Sequence, residues 1–320
     1  MVTPRITACI CTYNRYDTLS KALQSVLGQS LDRSLYRIMV VDNSPDHARA
    51  EAFGAGLREP SFLDYRIETT PGLSNARNVG ARDCGTEFIA FMDDDAVAKP
   101  RWLEQILLAF DTFGARVGVV GGRVDPLWES PRPAWLDDAM LGHVSVVNWG
   151  GGLREAGQKE WFAGTNIAFR AQAILDHGLF DVRLGRTGGG ASLLSNEETE
   201  LVRRIHEAGQ IGVYQPDAIV DHLVERRRLT QDWFRKRVAW QAVSDFMMNP
   251  SRTAESVNTG KDWLLEFFFG LPPRQRTIRG LWLPCETAAQ FNHQLGSLYL
   301  AVAGALNGFA GLESDVRPAG

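Results

Sequence analysis

Apolar positions along the first 120 residues come in short blocks whose period changes from one block to the next. Ile6–Cys11 is a short, mostly apolar run and predicts a buried strand. Leu19, Leu23, Val26 and Leu27 then recur at helical spacing. Tyr36–Val41 predicts a second strand, stopped by the turn formers Asp42-Asn43-Ser44-Pro45. A polar helix is expected around Ala48–Leu57, a weaker strand at Tyr65–Glu68, a turn at Pro71-Gly72 and a helix over Leu73–Ala81. Phe88–Met92 is strongly apolar and runs into Asp93-Asp94-Asp95. Pro100 stands where a helix begins, and Trp102, Leu103, Ile106, Leu107 and Phe110 follow on one face. Val117–Val120 predicts another strand. Alternation of this kind predicts an α/β fold with a mainly parallel sheet and helices on both faces.

The pattern weakens between Val124 and Trp161, where Trp128, Trp135, Trp149 and Gly150-Gly151-Gly152 suggest long loops with a few short elements. Asn166–Arg170 predicts a strand, and Glu197–Ala208 a helix that ends at Gly209. From about Thr230 the pattern is mostly helical. The expected division is an α/β domain over 1–225 and a mostly helical region over 226–320 suited to membrane-surface or oligomer contacts. Within the latter, Leu264–Leu271 and Leu298–Leu306 are apolar but short, and read as core or dimer helices.

Composition changes this picture little, but it removes some classes. With 44% hydrophobic and 22% charged residues in 320, the chain can bury a sizeable core. The 34 Lys+Arg against 38 Asp+Glu leave a net charge of −4, which argues against nucleic acid as partner. The four cysteines have no zinc-type spacing, and Cys9 and Cys11 are too close for an easy mutual disulfide. A reducing, cytoplasmic setting is expected, with no signal peptide and no transmembrane run. One local charge feature stands out. His222–Val238 holds Arg226, Arg227, Arg228, Arg235, Lys236 and Arg237 against Glu225 and Asp232. Such a basic tract suits a diphosphate, a lipid phosphate or an anionic membrane surface, so peripheral contact with the inner face of the membrane is part of the expectation.

The sharpest chemical feature is Asp93-Asp94-Asp95. Adjacent carboxylates at the end of a buried strand repel one another unless a cation sits there, and clustered oxygen ligands suit Mg²⁺ or Mn²⁺. Three further polar clusters follow strand ends: Thr12-Tyr13-Asn14-Arg15, Asp42-Asn43-Ser44, and Leu73–Asn78. In an open α/β sheet, ligands bind at the carboxyl ends of the strands, so all four clusters belong to one candidate site.

ITACICTYNRYDTLSKALQSVL, IMVVDNSPD, PGLSNARNVG and EFIAFMDDDAVAKPRWLE together resemble the family 2 glycosyltransferases of GT-A fold. FAGTNIAFRAQAILDHGLFDVRLGR and SNEETELVRRIHEAG resemble the second half of that domain. PDAIVDHLVERRRLTQDWFRKRVAWQ resembles its end in bacterial members that build surface polysaccharides. The resemblance runs from about Ile6 to Gln241.

It implies an inverting, metal-dependent transfer from a nucleotide-sugar donor, UDP-linked by expectation, to a glycan or lipid-linked acceptor. Thr12, Asn14, Asp42 and Arg77 match nucleotide-binding positions, with Asp42 toward the uracil ring and Arg77 near base or phosphates. Asp93 and Asp95 match the D-x-D motif: Asp95 as metal ligand, Asp93 toward the ribose or the metal, Asp94 sharing either role. His222 matches a histidine that completes the metal–diphosphate site. The pair Glu197-Glu198 matches the position of the general base, assigned to Glu198 with Glu197 as second choice. Trp161 and Phe162 are candidates to stack on a sugar, Asn166 is a further acceptor candidate, and Gly164 has no side chain to obstruct a sugar near the backbone. Two other readings are a sugar nucleotidyltransferase and a non-catalytic nucleotide-sugar-binding scaffold. The first calls for a Gly-rich loop after strand one, which Thr12–Arg15 is not; the second is disfavoured by intact Asp93, Asp95, Glu198 and His222.

Overall fold

The computed structural model describes residues 3–57, 62–188 and 193–248. In chain order the elements are β1 (Ile6–Thr12), α1 (Tyr16–Leu27), β2 (Tyr36–Asp42), α2 (His47–Gly56), β3 (Leu63–Ile67), α3 (Leu73–Asp83), β4 (Phe88–Asp93), β5 (Ala96–Ala98), α4 (Trp102–Phe113), β6 (Val117–Trp128), β7 (Arg154–Glu155), β8 (Ile167–Arg170), α5 (Ala171–Asp176), α6 (Glu197–Glu207), β9 (Ile211–Val224) and α7 (Gln231–Met248). Among the described residues the strands form one sheet in the order β3-β2-β1-β4-β8-β6-β9-β5, with β7 beside β9.

The expected α/β fold is present, and its parallel character is confined to one half. β3, β2, β1 and β4 pair in parallel, each reached through a helix or turn that carries the chain back across the sheet. Beyond β4 the pairings of β8 with β4 and β6, and of β9 with β5 and β7, are antiparallel. Period-two alternation along β1 explains why both faces are covered. Ile6, Ala8 and Ile10 pack with α1 and α4 residues on one face, while Cys9 and Cys11 pack on the other with residues of α3, α5 and α6. α3 lies close against that second face because Gly80 has no side chain; a Cβ there would come within 2.7 Å of Cys9 Sγ.

Several elements exceed or escape the sequence pattern, the short β5 among them. β6 continues through Gly121-Gly122 to Trp128 instead of ending at Val120. These glycines are close approaches rather than a break: a Cβ at Gly121 would lie 1.9 Å from the Phe162 ring, and one at Gly122 2.2 Å from the carbonyl oxygen of Ala218. β9, at 14 residues, and the six-residue α5 were not anticipated from periodicity.

The chain forms two compact units. The first comprises Met1–Leu127, Ser145–Gly190 and Glu197–Leu223, and so holds the sheet's parallel half and every candidate site residue. The second gathers, among the described residues, Trp128–Val144, the stretch that ends at Asn196, and the chain from Val224 to Met248. Its described core sets Phe234 against Trp135 and His143, with ring centroids 5.4 and 5.3 Å apart. α7 belongs to this unit and starts at the expected place; Leu264–Leu271, Leu298–Leu306 and Cys285 lie outside the described residues. Among the described residues no helix is long and apolar enough to cross a membrane.

Candidate functional site

Parallel pairing brings three strand ends into register. Thr12 pairs with Asp42, and Cys11 with Asp93, so the polar residues that follow β1, β2 and β4 share one edge of the sheet. Asp93 closes β4, and the chain turns through Asp94 and Asp95 into β5. β5 pairs with β9 so that Ala96 faces His222. The amide of Leu223 donates to the carbonyl of Asp95 at 2.9 Å, which fixes this corner.

The register delivers the imidazole to the carboxylates. His222 Nε2 lies 3.4 Å from Asp95 Oδ1, and both side chains are buried. One ligand atom each from Asp93, Asp95 and His222 lie within 4.8 Å of one another. Donors held about 2.1 Å from one small ion stand at most about 4.2 Å apart, so slight closure suffices. His222 Nδ1 is buried without a hydrogen-bond partner, so the ring lacks the anchoring contact on one side. The donor set fits a divalent ion that accepts oxygen and imidazole ligands.

The middle carboxylate has a different task. Asp94 accepts from the Thr12 hydroxyl at 2.7 Å and from the Tyr13 amide at 3.4 Å, tying the β1–α1 loop to the acidic turn. Arg15 reaches the same turn, 2.8 Å from Asp95 Oδ2 and 3.7 Å from Asp94 Oδ1. Burial, then the charge of Asp95, pushes the Asp94 carboxyl up to about 7 against the pull of Arg15 and Thr12.

The third group sits at the start of α6. Arg77, on α3 and 2% exposed, points its guanidinium at Glu197 Oε1 (2.7 Å), Asp93 Oδ1 (3.4 Å) and Glu198 Oε2 (3.8 Å). Burial disfavours its charge, but the carboxylates of Glu197, Asp93 and Glu198 outweigh that and hold it above its ordinary value. The two glutamates are thereby unequal. Glu197 is buried and accepts from Arg77 through Oε1 at 2.7 Å, whereas the Glu198 side chain keeps 15% exposure and stands 3.8 Å from the same guanidinium; Oε2 of each is buried without a hydrogen bond. Burial, then the charge of Glu197, pushes Glu198 up to about 8, with Arg77 opposing. A carboxylate poised in this range can take a proton near neutral pH.

The sequence-derived candidates divide accordingly. Asp93, Asp94, Asp95, His222, Arg77, Glu197 and Glu198 form one continuous cluster. Thr12 joins it, but through Asp94. Asn14 is exposed at the loop tip with φ of 57°, its amide held by the Ser44 hydroxyl at 2.8 Å. Asp42 is fully buried; it accepts from Tyr16 at 3.0 Å, from the Tyr65 hydroxyl and from the Ser44 amide. In this structure it orients the wall beside Asn14 rather than facing outward.

Two acceptor candidates take structural places instead. Phe162 is core, filling the space left by Gly121 and Gly212. Asn166 is fully buried, accepting from the Trp102 indole and donating to the carbonyls of Arg123 and Ala218, each at 2.8 Å. Trp161 remains half-buried, with Trp149 perpendicular at 6.4 Å. Gly164 does leave room, but for Arg77 rather than for a sugar: a Cβ would lie 2.4 Å from its Nη2. Arg15 and Gly185 escaped assignment. Gly185, at φ of 87°, packs where a Cβ would be 3.1 Å from the Glu197 carboxyl carbon. Arg15 was legible as part of a strand-end cluster; nothing local marks Gly185.

With this geometry in place, likeness to known proteins decides the family. A family model described as Glycosyl transferase family 2 matches residues 7–182. The chain belongs to glycosyl transferase family 2. It is 27% identical over 247 residues to a glucosyl-dolichyl phosphate glucuronosyltransferase of Haloferax volcanii, covering 77% of each chain. It is 28% identical over 231 residues to the succinoglycan biosynthesis protein ExoM of Rhizobium meliloti, covering 71% of this chain and 70% of that one. Among solved structures, S. aureus TarS 1-349 superposes with a TM-score of 0.55 at 13% identity, over 94% of this chain and 91% of that one. GalNAc-T7 with UDP, GalNAc and Mn²⁺ gives 0.55 at 15% identity, over 90% and 56%. These two likenesses establish the GT-A type of fold. The protein is a glycosyltransferase, which sets aside the nucleotidyltransferase and scaffold readings.

Proposed function

We propose that this family 2 glycosyltransferase moves a sugar from a UDP-linked donor to a glycan or lipid-linked glycan hydroxyl, with inversion, using Mn²⁺ or Mg²⁺ and Glu198 as general base. The observation that carries the reading is the reach of one side chain. Arg77 lies 3.4 Å from Asp93 of the acidic cluster and 3.8 Å from Glu198, so the proposed metal–diphosphate site and proton acceptor flank one guanidinium. The cofactor and substrate in the GalNAc-T7 structure and the polysaccharide role in ExoM's name agree with it.

Asp93, Asp95 and His222 would hold the ion, which when bound neutralises charge on the departing diphosphate. Thr12, Asn14 and Asp42 shape the nucleotide end through the loop they fix. Glu198 takes the acceptor hydroxyl's proton as the bond from sugar to diphosphate breaks, while Glu197 stays paired to Arg77. Trp161 and Trp149 offer aromatic faces to the acceptor sugar. Exposed Arg226 and Arg227 suit an anionic lipid surface at the cytoplasmic side of the membrane. The test is release of UDP from a panel of UDP-glucose, UDP-galactose, UDP-N-acetylglucosamine and UDP-glucuronic acid, with and without Mn²⁺. Metal-stimulated release from one of them supports the reading; none, together with no UDP binding in calorimetry, sinks it.

A further inference from the structure

Arg77 was expected to touch the nucleotide. Its surroundings leave it little means to do so. The side chain is 2% exposed, its guanidinium lies 6.0 Å from the Phe91 ring centroid and 5.7 Å from that of Phe180, and three carboxylates of the protein surround it. A cation removed from water this completely persists only where its charge is matched, and Glu197 matches it at 2.7 Å. The charge is also bracketed by elements from distant parts of the chain. Asp93 ends β4, Glu197 begins α6, and Gly164 precedes β8 and leaves the room in which the guanidinium sits.

We propose that Arg77 is a positioning residue, bracing Asp93 against Glu197 so that the acidic cluster and Glu198 keep a fixed separation, and that Gly164 is required because only glycine admits the guanidinium. This rests on Glu198 as base. Arg77 touches neither donor nor acceptor; it acts through carboxylates on both sides of the reacting atoms. The consequence for Gly164 is quantitative. Ordinary carbon contacts are about 3.5 Å, and a Cβ would stand 2.4 Å from Nη2. The guanidinium would have to retreat by about 1 Å, a misplacement that can cost about 100-fold in rate.

The experiment compares the parent with Gly164→Ala, Arg77→Lys, Arg77→Gln, Glu197→Gln and the Arg77→Gln/Glu197→Gln double variant. UDP affinity with Mn²⁺ is read by calorimetry and turnover by UDP release from the panel above. The parent is the control on the functional reading: if it neither binds UDP nor releases it, that reading fails whatever Arg77 does. Given an active parent, Gly164→Ala should lose about 100-fold in turnover with UDP affinity within about threefold. Arg77→Gln should cost much less in the Glu197→Gln background than in the parent, because the two act as a unit. Three outcomes overturn the proposal: UDP affinity falling tenfold or more in Gly164→Ala or Arg77→Lys, Gly164→Ala retaining parental turnover, or multiplicative effects in the double variant. Gly164→Ala and Arg77→Lys keep the buried charge, so the proposal stays testable if Arg77→Gln fails to fold.

Discussion

The indole N–H of Trp102 donates to Asn166 Oδ1 at 2.8 Å, inside the core of the first unit. Both side chains are fully buried, and the Asn166 amide spends its own N–H groups on two backbone carbonyls. Asn166→Ala should therefore destabilise the protein by at least about 2 kcal/mol, since the indole and two carbonyls lose their partner together. Urea unfolding checks this. UDP affinity measured on the folded fraction should be unchanged; a stable variant that binds acceptor poorly would return Asn166 to the acceptor site.

Glu198→Gln should reduce turnover by about 10²–10⁴-fold and leave UDP binding nearly intact. The pH profile adds a second readout. With the carboxyl pushed up to about 8, activity of the parent should fall as pH drops below that value, because the base is then protonated. Loss of turnover in Glu197→Gln with full activity in Glu198→Gln would exchange the two roles.

The same shift sets a stability window. The folded protein holds a proton on Glu198 that the unfolded chain has released above about 4.5, so stability declines as pH rises from there to about 8. Glu198→Gln removes this term. Its melting temperature relative to the parent should be higher at pH 9 than at pH 5, by an amount equivalent to a few kcal/mol at most. An offset independent of pH would show that Glu198 titrates normally.

Asp95→Ala and His222→Ala should each weaken Mn²⁺ binding at least about tenfold, followed by electron paramagnetic resonance of the free ion without nucleotide. Asp94→Asn should affect it less, because Asp94 faces Thr12 and Tyr13. Equal losses in all three variants would mean that the turn collapses as a whole.

How much of this was readable beforehand depended on how local the signal was. The strand preceding the acidic turn, and the turn formers after β2, announce themselves within a few residues, so the parallel half of the sheet and its row of strand-end polar groups were legible. The apolar run gives β6 only as far as Val120, because the strand continues through Gly121-Gly122, where Phe162 and Asn166 from elsewhere in the chain occupy the space that side chains would need. Roles diverged for the same reason. Thr12 and Asp42 were placed at the correct edge, but which donors surround Asp42 depends on Tyr16 and Tyr65 arriving from α1 and β3. The neighbours of Arg77 come from residues 93, 164 and 197, and no window of sequence contains them all.

Asp93, Asp94 and Asp95 look interchangeable on paper, yet one meets Arg77, the next Thr12 and the last His222. The turn works as a three-way junction whose branches are assigned by counting from the end of β4. Adding or deleting one residue upstream would hand each carboxylate its neighbour's partner while leaving the motif's spelling intact. Strand length is thus the least editable quantity in this enzyme, and attempts to change its donor should start in the surrounding loops.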